Sequence, residues 1–150
     1  MQKIPFEVIG LQADGFHIIT EIELLDKKFK IVIDTGASKT VLDKETLLAS
    51  GIDEENFLNT DILSTGLGTN SMESFILTIP TLQLAEWKIK NFQVAVLDLS
   101  SINYAYEQIG LERVIGVLGG DILNMYGAKI DYKKQELSLN QRRLSLKSRR

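Results

Sequence analysis

Cysteine is absent from the 150 residues, and histidine occurs once, as His17. Without thiols the chain can form no disulfide, no thiolate metal centre and no cysteine nucleophile, and one imidazole cannot build a multi-histidine metal cluster. A Ser-His-Asp relay is left with His17 as its only base, and no partner set surrounds that residue, which reads as an ordinary strand position. Long apolar runs are missing too: nothing approaches the ~18 residues of a membrane-spanning helix, and the N-terminus has no apolar stretch behind a basic start. Most common hydrolase chemistries are set aside by these absences. They lead to the expectation of a cytoplasmic protein with no metal, no cofactor and no membrane partner.

What is present suits one soluble domain: 44% hydrophobic and 25% charged residues, with 17 Lys and Arg against 20 Asp and Glu for a net charge of −3. Charge is uneven along the chain. Arg142, Arg143, Lys147, Arg149 and Arg150 all fall at the end, which leaves 12 basic against 20 acidic side chains in the rest. A segment this short, without aromatics and with little to bury, reads as a solvated, disordered tail rather than a nucleic-acid contact. The domain is therefore assigned to residues 1–140 and the tail to 141–150. No repeat of 20–50 residues and no low-complexity linker divides the chain.

Periodicity points to a mostly β fold. Ile18, Thr20, Ile22 and Leu24 alternate with Ile19, Glu21 and Glu23, the two-residue period of a strand with one wetter face. A turn at Asp26, Lys27 and Lys28 precedes a second strand, in which Phe29, Ile31 and Ile33 alternate with Lys30, Val32 and Asp34. Asp43 caps a short helix over 44–50 that Gly51 ends. Two strand-like runs within 60–79 flank a loop over 65–71, whose glycines and small polar residues read as a hairpin tip. Further alternation runs through Leu82, Leu84, Trp87, Ile89, Phe92, Val94 and Val96, with Trp87 and Phe92 as packing residues and Pro80 at a strand end or edge. A helix turn or two is expected over 103–111. An apolar strand over 114–121 leads into a helix over 121–126, capped by Asp121, and strands over 128–132 and 136–140 close the domain.

The strongest chemical signal is Asp34, a carboxylate at the end of the apolar run Ile31, Val32, Ile33. Such a group must be neutralised, bonded by backbone N–H groups, or paired with a second carboxylate that shares its proton. Gly36 allows a close amide, and the Thr35 and Ser38 hydroxyls offer further donors. Read as a turn or cap, Asp34 would leave the later glycine motif unexplained. The order Asp34-Thr35-Gly36-Ala37-Ser38 after an apolar strand resembles the active-site signature of aspartic proteases. Val117-Leu118-Gly119-Gly120-Asp121 is similar to the hydrophobic-hydrophobic-Gly segment that threads behind the catalytic loop in that fold. Spacing and size resemble the single-domain, retropepsin-like branch over roughly 16–140. A phosphate-binding reading of Gly116 to Gly120 lacks Gly-x-Gly-x-x-Gly, a Walker lysine and alternating strands and helices.

The resemblance implies a closed β-barrel with short helices, acting as a homodimer on extended polypeptides. Aspartic proteolysis uses two carboxylates, and the near-repeat Ser64-Thr65-Gly66 lacks the acid, so the second carboxylate would be Asp34 of another copy. In that scheme Asp34 is the catalytic acid/base and Thr35 reaches the partner's loop. Gly36 and Ser38 hydrogen-bond the carboxylate, Ala37 completes the loop, and Gly119 lets the rear strand approach. Thr65, Gly66, Leu67 and Gly68 would form the flap over the substrate. Retroviral relatives are shorter, so 53–59 and 97–112 are extra segments that could narrow the cleft or form a partner surface. Leu67 and Asn70 stand where an aromatic or Gly-rich apolar flap tip is expected. The alternative reading is a retropepsin-fold module that binds peptide without efficient turnover.

Overall fold

A computed structural model describes residues 1–12, 15–60 and 73–145 of the chain. Its first half comprises strands β1 (Gln2–Pro5), β2 (Glu7–Gly10), β3 (Phe16–Leu24), β4 (Lys27–Ile33) and β5 (Val41–Asp43), helix α1 (Lys44–Ala49) and strand β6 (Leu58–Thr60). Strands β7 (Ser74–Leu84) and β8 (Trp87–Leu97) follow, then helix α2 (Ser100–Gln108), strand β9 (Gly116–Leu118), helix α3 (Gly120–Leu123) and strands β10 (Lys129–Asp131) and β11 (Glu136–Leu139). Six strands close into a barrel in the order β3-β4-β9-β5-β8-β7, sealed by β3–β7 pairing, with β2 and β6 as edge extensions. A three-stranded sheet, β1-β11-β10, ties the two ends of the chain together.

The alternation read from β3 and β4 becomes the barrel wall. Leu25 and Asp26 take φ values of 55° and 60°, the left-handed pair that a tight two-residue hairpin turn requires, so the turn lies just before the Lys27-Lys28 pair. Ile18, Ile22, Leu24, Ile31 and Ile33 point into the main core. Strands β7 and β8 change faces together. Phe75, Leu77 and Ile79 pair with Val96, Val94 and Phe92, whereas beyond Pro80 it is Leu82 and Leu84 that pair with Ile89 and Trp87 and are buried. Asn91, at φ 53°, supplies the local kink that keeps apolar side chains inward as the hairpin coils around the barrel. Trp87 is fully buried, edge-on to Tyr126 at 5.0 Å, and Phe92 packs partly buried against the same core.

Several elements depart from the periodic reading. Strands β1 and β2 were not signalled, because each is four residues long and the alternation is interrupted at Pro5. Helix α2 begins three residues earlier than expected and covers the outer face of the barrel wall. There Tyr106 forms a second core with Ile19, Val32 and Val114, so 97–112 dresses the sheet's outside. The buried Asn103 amide exchanges two hydrogen bonds with Val114, donating to its carbonyl at 3.1 Å and accepting from its N–H at 2.8 Å. His17 is an exposed strand residue whose Nδ1 lies 2.6 Å from the Tyr106 hydroxyl. Asp43 caps α1 as expected, and its fully buried carboxylate also accepts from the Thr46 hydroxyl and the Leu99 N–H.

At the C-terminus, Gln141 donates to the Lys88 carbonyl and Leu144 N–H to the Met125 carbonyl, so the chain stays against the barrel to Leu144. Residues 146–150 of the basic tail lie outside the described residues. No described helix is long and apolar enough to cross a membrane.

The apolar run over 114–121 yields only a three-residue strand, but that strand fixes the architecture. β9 pairs parallel with β4 on one side, Ile31 to Gly116 and Ile33 to Leu118, and antiparallel with β5 on the other. Glycines make the approach possible: a Cβ on Gly116 would overlap the Val41 carbonyl oxygen, and one on Gly119 would overlap that of Lys39. At Gly120 the nearest contact would be an ordinary 3.4 Å.

Two outcomes follow from this packing. Gly119→Ala is expected to destabilise the protein by about 3 kcal/mol, because the loop backbone at Ala37 and Lys39 must move. Thermal unfolding should show that as a fall in Tm of roughly 6–12 °C for a domain of this size, with Gly120→Ala much milder; equal effects would refute the close-approach argument. Burial also raises the Tyr106 phenol above its ordinary pKa of 10.0. A raised folded-state pKa means that its contribution is intact below the unfolded value and is lost as pH climbs past it. Tyr106→Phe should therefore flatten the loss of Tm as pH rises above about 10 relative to the unaltered protein, and parallel curves would count against burial as the cause.

Candidate active site

Because β9 lies between β4 and β5, the loop 34–40 must span two inter-strand spacings, about 10 Å, across the end of β9. Asp34 is the first residue of that bridge. Its N–H continues the β4–β9 ladder by donating to Leu118 at 3.0 Å, and its carbonyl accepts from Ala37 N–H at 3.2 Å to turn the chain over Thr35 and Gly36. The side chain is half-buried, and Gly36 N–H donates to its Oδ1 at 2.9 Å, the short-range turn that an aspartate before glycine favours. No further in-chain hydrogen bond and no ion pair reaches this carboxylate among the described residues.

The rest of the loop is held from behind. Gly120 N–H donates to the Ala37 carbonyl at 2.7 Å and Asp121 N–H to the Ser38 carbonyl at 3.1 Å. Thr40 is fully buried. Its N–H points between the two Asp121 carboxylate oxygens, at 3.0 and 2.9 Å, and its hydroxyl donates to Oδ1 at 2.7 Å while accepting from Gly119 N–H at 3.1 Å. Ala95 N–H donates to the Thr40 carbonyl and joins the loop's end to β8. Leaving one of these buried donors unpaired costs about 1–3 kcal/mol, so the set fixes the loop firmly.

Each residue singled out from the sequence can now be placed. Asp34, Gly36, Ala37 and Gly119 come together at the loop and its rear support. Thr35 and Ser38 are exposed, and neither hydroxyl bonds to Asp34 within the chain; Ser38 contributes its carbonyl instead. Thr65, Gly66, Leu67 and Gly68 lie outside the described residues. Asp121 is not the cap of α3: Gly119 holds that position, and the Asp121 carboxylate accepts from its own neighbour Ile122 N–H as well as from Thr40. With both oxygens engaged behind the loop, Asp121 cannot serve as a second acid beside Asp34.

Sequence reasoning passed over Thr40, whose only signal was a polar residue immediately before a buried strand. The loop thus presents one carboxylate, that of Asp34, with an oxygen free of partners among the described residues. No group of three or more His, Cys, Asp or Glu side chains among the described residues could hold a metal ion. A groove of about 500 Å³ lined by Glu21, Lys28, Lys30, Glu45 and Arg113 includes no residue of the loop, and its mixed charges mark a surface depression rather than the chemical centre.

Comparison with known proteins agrees with this geometry. Solved structures similar to the chain include a retropepsin-like aspartic protease from Rickettsia conorii, at TM-score 0.55 and 24% identity over 96% of this chain and 97% of that one. Another is the retroviral protease-like domain of Ddi1 from Leishmania major, at TM-score 0.55 and 17% identity over 83% and 89% of the two chains. No match to a curated protein is found. At these identities the structures establish a shared fold. Residues 20–122 match a family model described as aspartyl protease. Since that span runs from β3 through α3 and includes both the Asp34 loop and the segment that braces it, the chain belongs to the aspartyl protease family.

Proposed function

We propose that the protein is a homodimeric aspartic endopeptidase that hydrolyses peptide bonds in extended polypeptides. The observation that carries this reading is the half-buried Asp34 carboxylate, oriented by Gly36 N–H on a braced loop and left with one oxygen free of in-chain partners. Hydrolysis by this chemistry needs two carboxylates with one proton between them. One takes a proton from water as the water oxygen attacks the carbonyl carbon, and the other protonates the carbonyl oxygen; the resulting diol collapses as the amine nitrogen leaves with a proton. A protomer supplies one such group, so a second copy brings its own Asp34 across a two-fold axis.

Thr35, exposed and free of in-chain side-chain hydrogen bonds among the described residues, is available to the partner's loop. The segment 65–68 would close over the substrate, whose main chain pairs as an added strand.

Asp34→Asn keeps the volume of the side chain and removes the shared proton. We expect it to fold and dimerise normally while cleavage of a diverse peptide library falls by at least about 1,000-fold. The pH–rate profile of the unaltered protein should be bell-shaped, with two apparent pKa values that belong to the pair. Mixing wild type with excess Asp34→Asn protein should suppress activity through mixed dimers. Turnover that survives in a clean Asp34→Asn preparation, or that stays proportional to wild-type monomer during mixing, would overturn the mechanism.

A further inference from the structure

The catalytic loop is anchored by strands at both ends and by backbone bonds at its middle, yet the residue that closes it, Thr40, depends on a single side chain. The geometry points to Asp121 as a positioning residue for Asp34, acting through Thr40. This inference rests on the proteolytic reading for its kinetic consequence and on the fold alone for its structural one. Asp121 reaches the loop from α3, and its carboxylate is the acceptor for both donors of the fully buried Thr40. The same residue's N–H holds Ser38, its predecessor's N–H holds Ala37, and the Thr40 hydroxyl passes the connection on to Gly119 N–H.

Three consecutive residues, Gly119, Gly120 and Asp121, therefore grip residues 37, 38 and 40, leaving Lys39 and the stretch 34–36 without a hydrogen bond from this segment. Asp34 itself keeps one side-chain bond, to Gly36. The direction of that carboxylate is consequently set by how firmly the following residues are fixed. Backbone bonds from Gly120 and Asp121 hold the loop's height over β9, whereas the carboxylate holds its far end in register with β5. Without it, two buried donors of Thr40 must find other acceptors, and the nearest relaxation is for 38–40 to lift from α3. A small displacement there moves Asp34 relative to its two-fold mate, and a misplacement of about 1 Å can cost on the order of 100-fold in rate.

The test compares Asp121→Ala and Thr40→Val, which remove the acceptor and the hydroxyl, with Asp121→Asn and Thr40→Ser, which keep an acceptor oxygen and the hydroxyl. Rates are measured per folded dimer on a peptide cleaved by wild type. Asp121→Ala and Thr40→Val are expected to lower kcat by about 10- to 100-fold with KM nearly constant, and the double variant to be no worse than the poorer single, as expected of one coupled unit. Asp121→Asn and Thr40→Ser should recover most of the loss.

In parallel, amide exchange at Gly36 and the carbon-13 signal of the Asp34 carboxyl report the loop directly. Both should change in Asp121→Ala. A drop in Tm with kcat, Gly36 exchange and the Asp34 signal all unchanged would assign Asp121 a purely structural role and overturn the inference, as would additive losses in the double variant. Should wild type cleave nothing, the proteolytic reading fails, and Gly36 exchange still decides whether Asp121 positions the loop. If Asp121→Ala does not fold, the comparison of Thr40→Val with Thr40→Ser carries the same decision.

Discussion

The insertion of β9 between β4 and β5 is the constraint on which the site depends. Three residues, Gly116 to Leu118, form ladder bonds with a parallel neighbour on one side and an antiparallel neighbour on the other. A strand so short has no stability of its own and exists because both flanking strands and the buried Leu118 hold it. Once it is in place, β4 and β5 cannot pair with each other. The chain between them must bridge the gap, and the residue that opens the bridge is Asp34. Gly116 and Gly119 matter because they remove the side chains that would keep the neighbouring backbone away.

Such an arrangement leaves backbone groups without ladder partners, and the protein satisfies them with a few polar side chains. Asn103 imitates a strand neighbour for Val114 just before β9. Asp43 receives the Leu99 N–H where β8 gives way to α2, and it caps α1 with its other oxygen. Asp121 does the same for Thr40 at the end of the loop. Buried backbone polar groups that lie off the sheet must be paired somewhere, and the groups paired here, at Val114, Leu99 and Thr40, sit where the chain enters or leaves a barrel strand. None of the buried side-chain polar atoms among the described residues lacks a hydrogen-bond partner.

How much of this could be read in advance follows from which interactions are local. Strands β3 and β4 were legible because each alternates over seven or more residues, and the Asp43 cap because its contact with Thr46 spans three. The turn at Asp34 was legible because its contact with Gly36 spans only two residues. Thr40 and Asp121 were not, because their contact joins residues 81 apart and neither end carries a local signature. Asp121 looked like a cap because it opens a helix-like pattern, and the structure shifts the cap to Gly119 since the carboxylate is drawn to Thr40 instead. The outer core around Tyr106 was hidden for another reason. Ile19 and Val32 lie on what alternation alone marks as the wetter face, and only α2 makes that face dry.

The loop is asymmetric in a way that bears on its chemistry. Its carbonyls at Ala37 and Ser38 and both donors of Thr40 are spent on the rear, against α3. The Thr35 and Ser38 side chains are exposed and engaged by nothing else in the chain among the described residues, and Asp34 retains an unpartnered oxygen. A loop fixed from behind needs nothing on its front to remain folded, so the front is free to meet something else. Each freedom removed behind the loop narrows the positions open to the Asp34 carboxylate on its front. An apolar pair in the same space would leave the buried Thr40 and Gly119 N–H groups without acceptors, which is why this corner of the barrel is polar. The same bonds pair backbone that the barrel ladders cannot reach and fix the end of the loop that Asp34 opens.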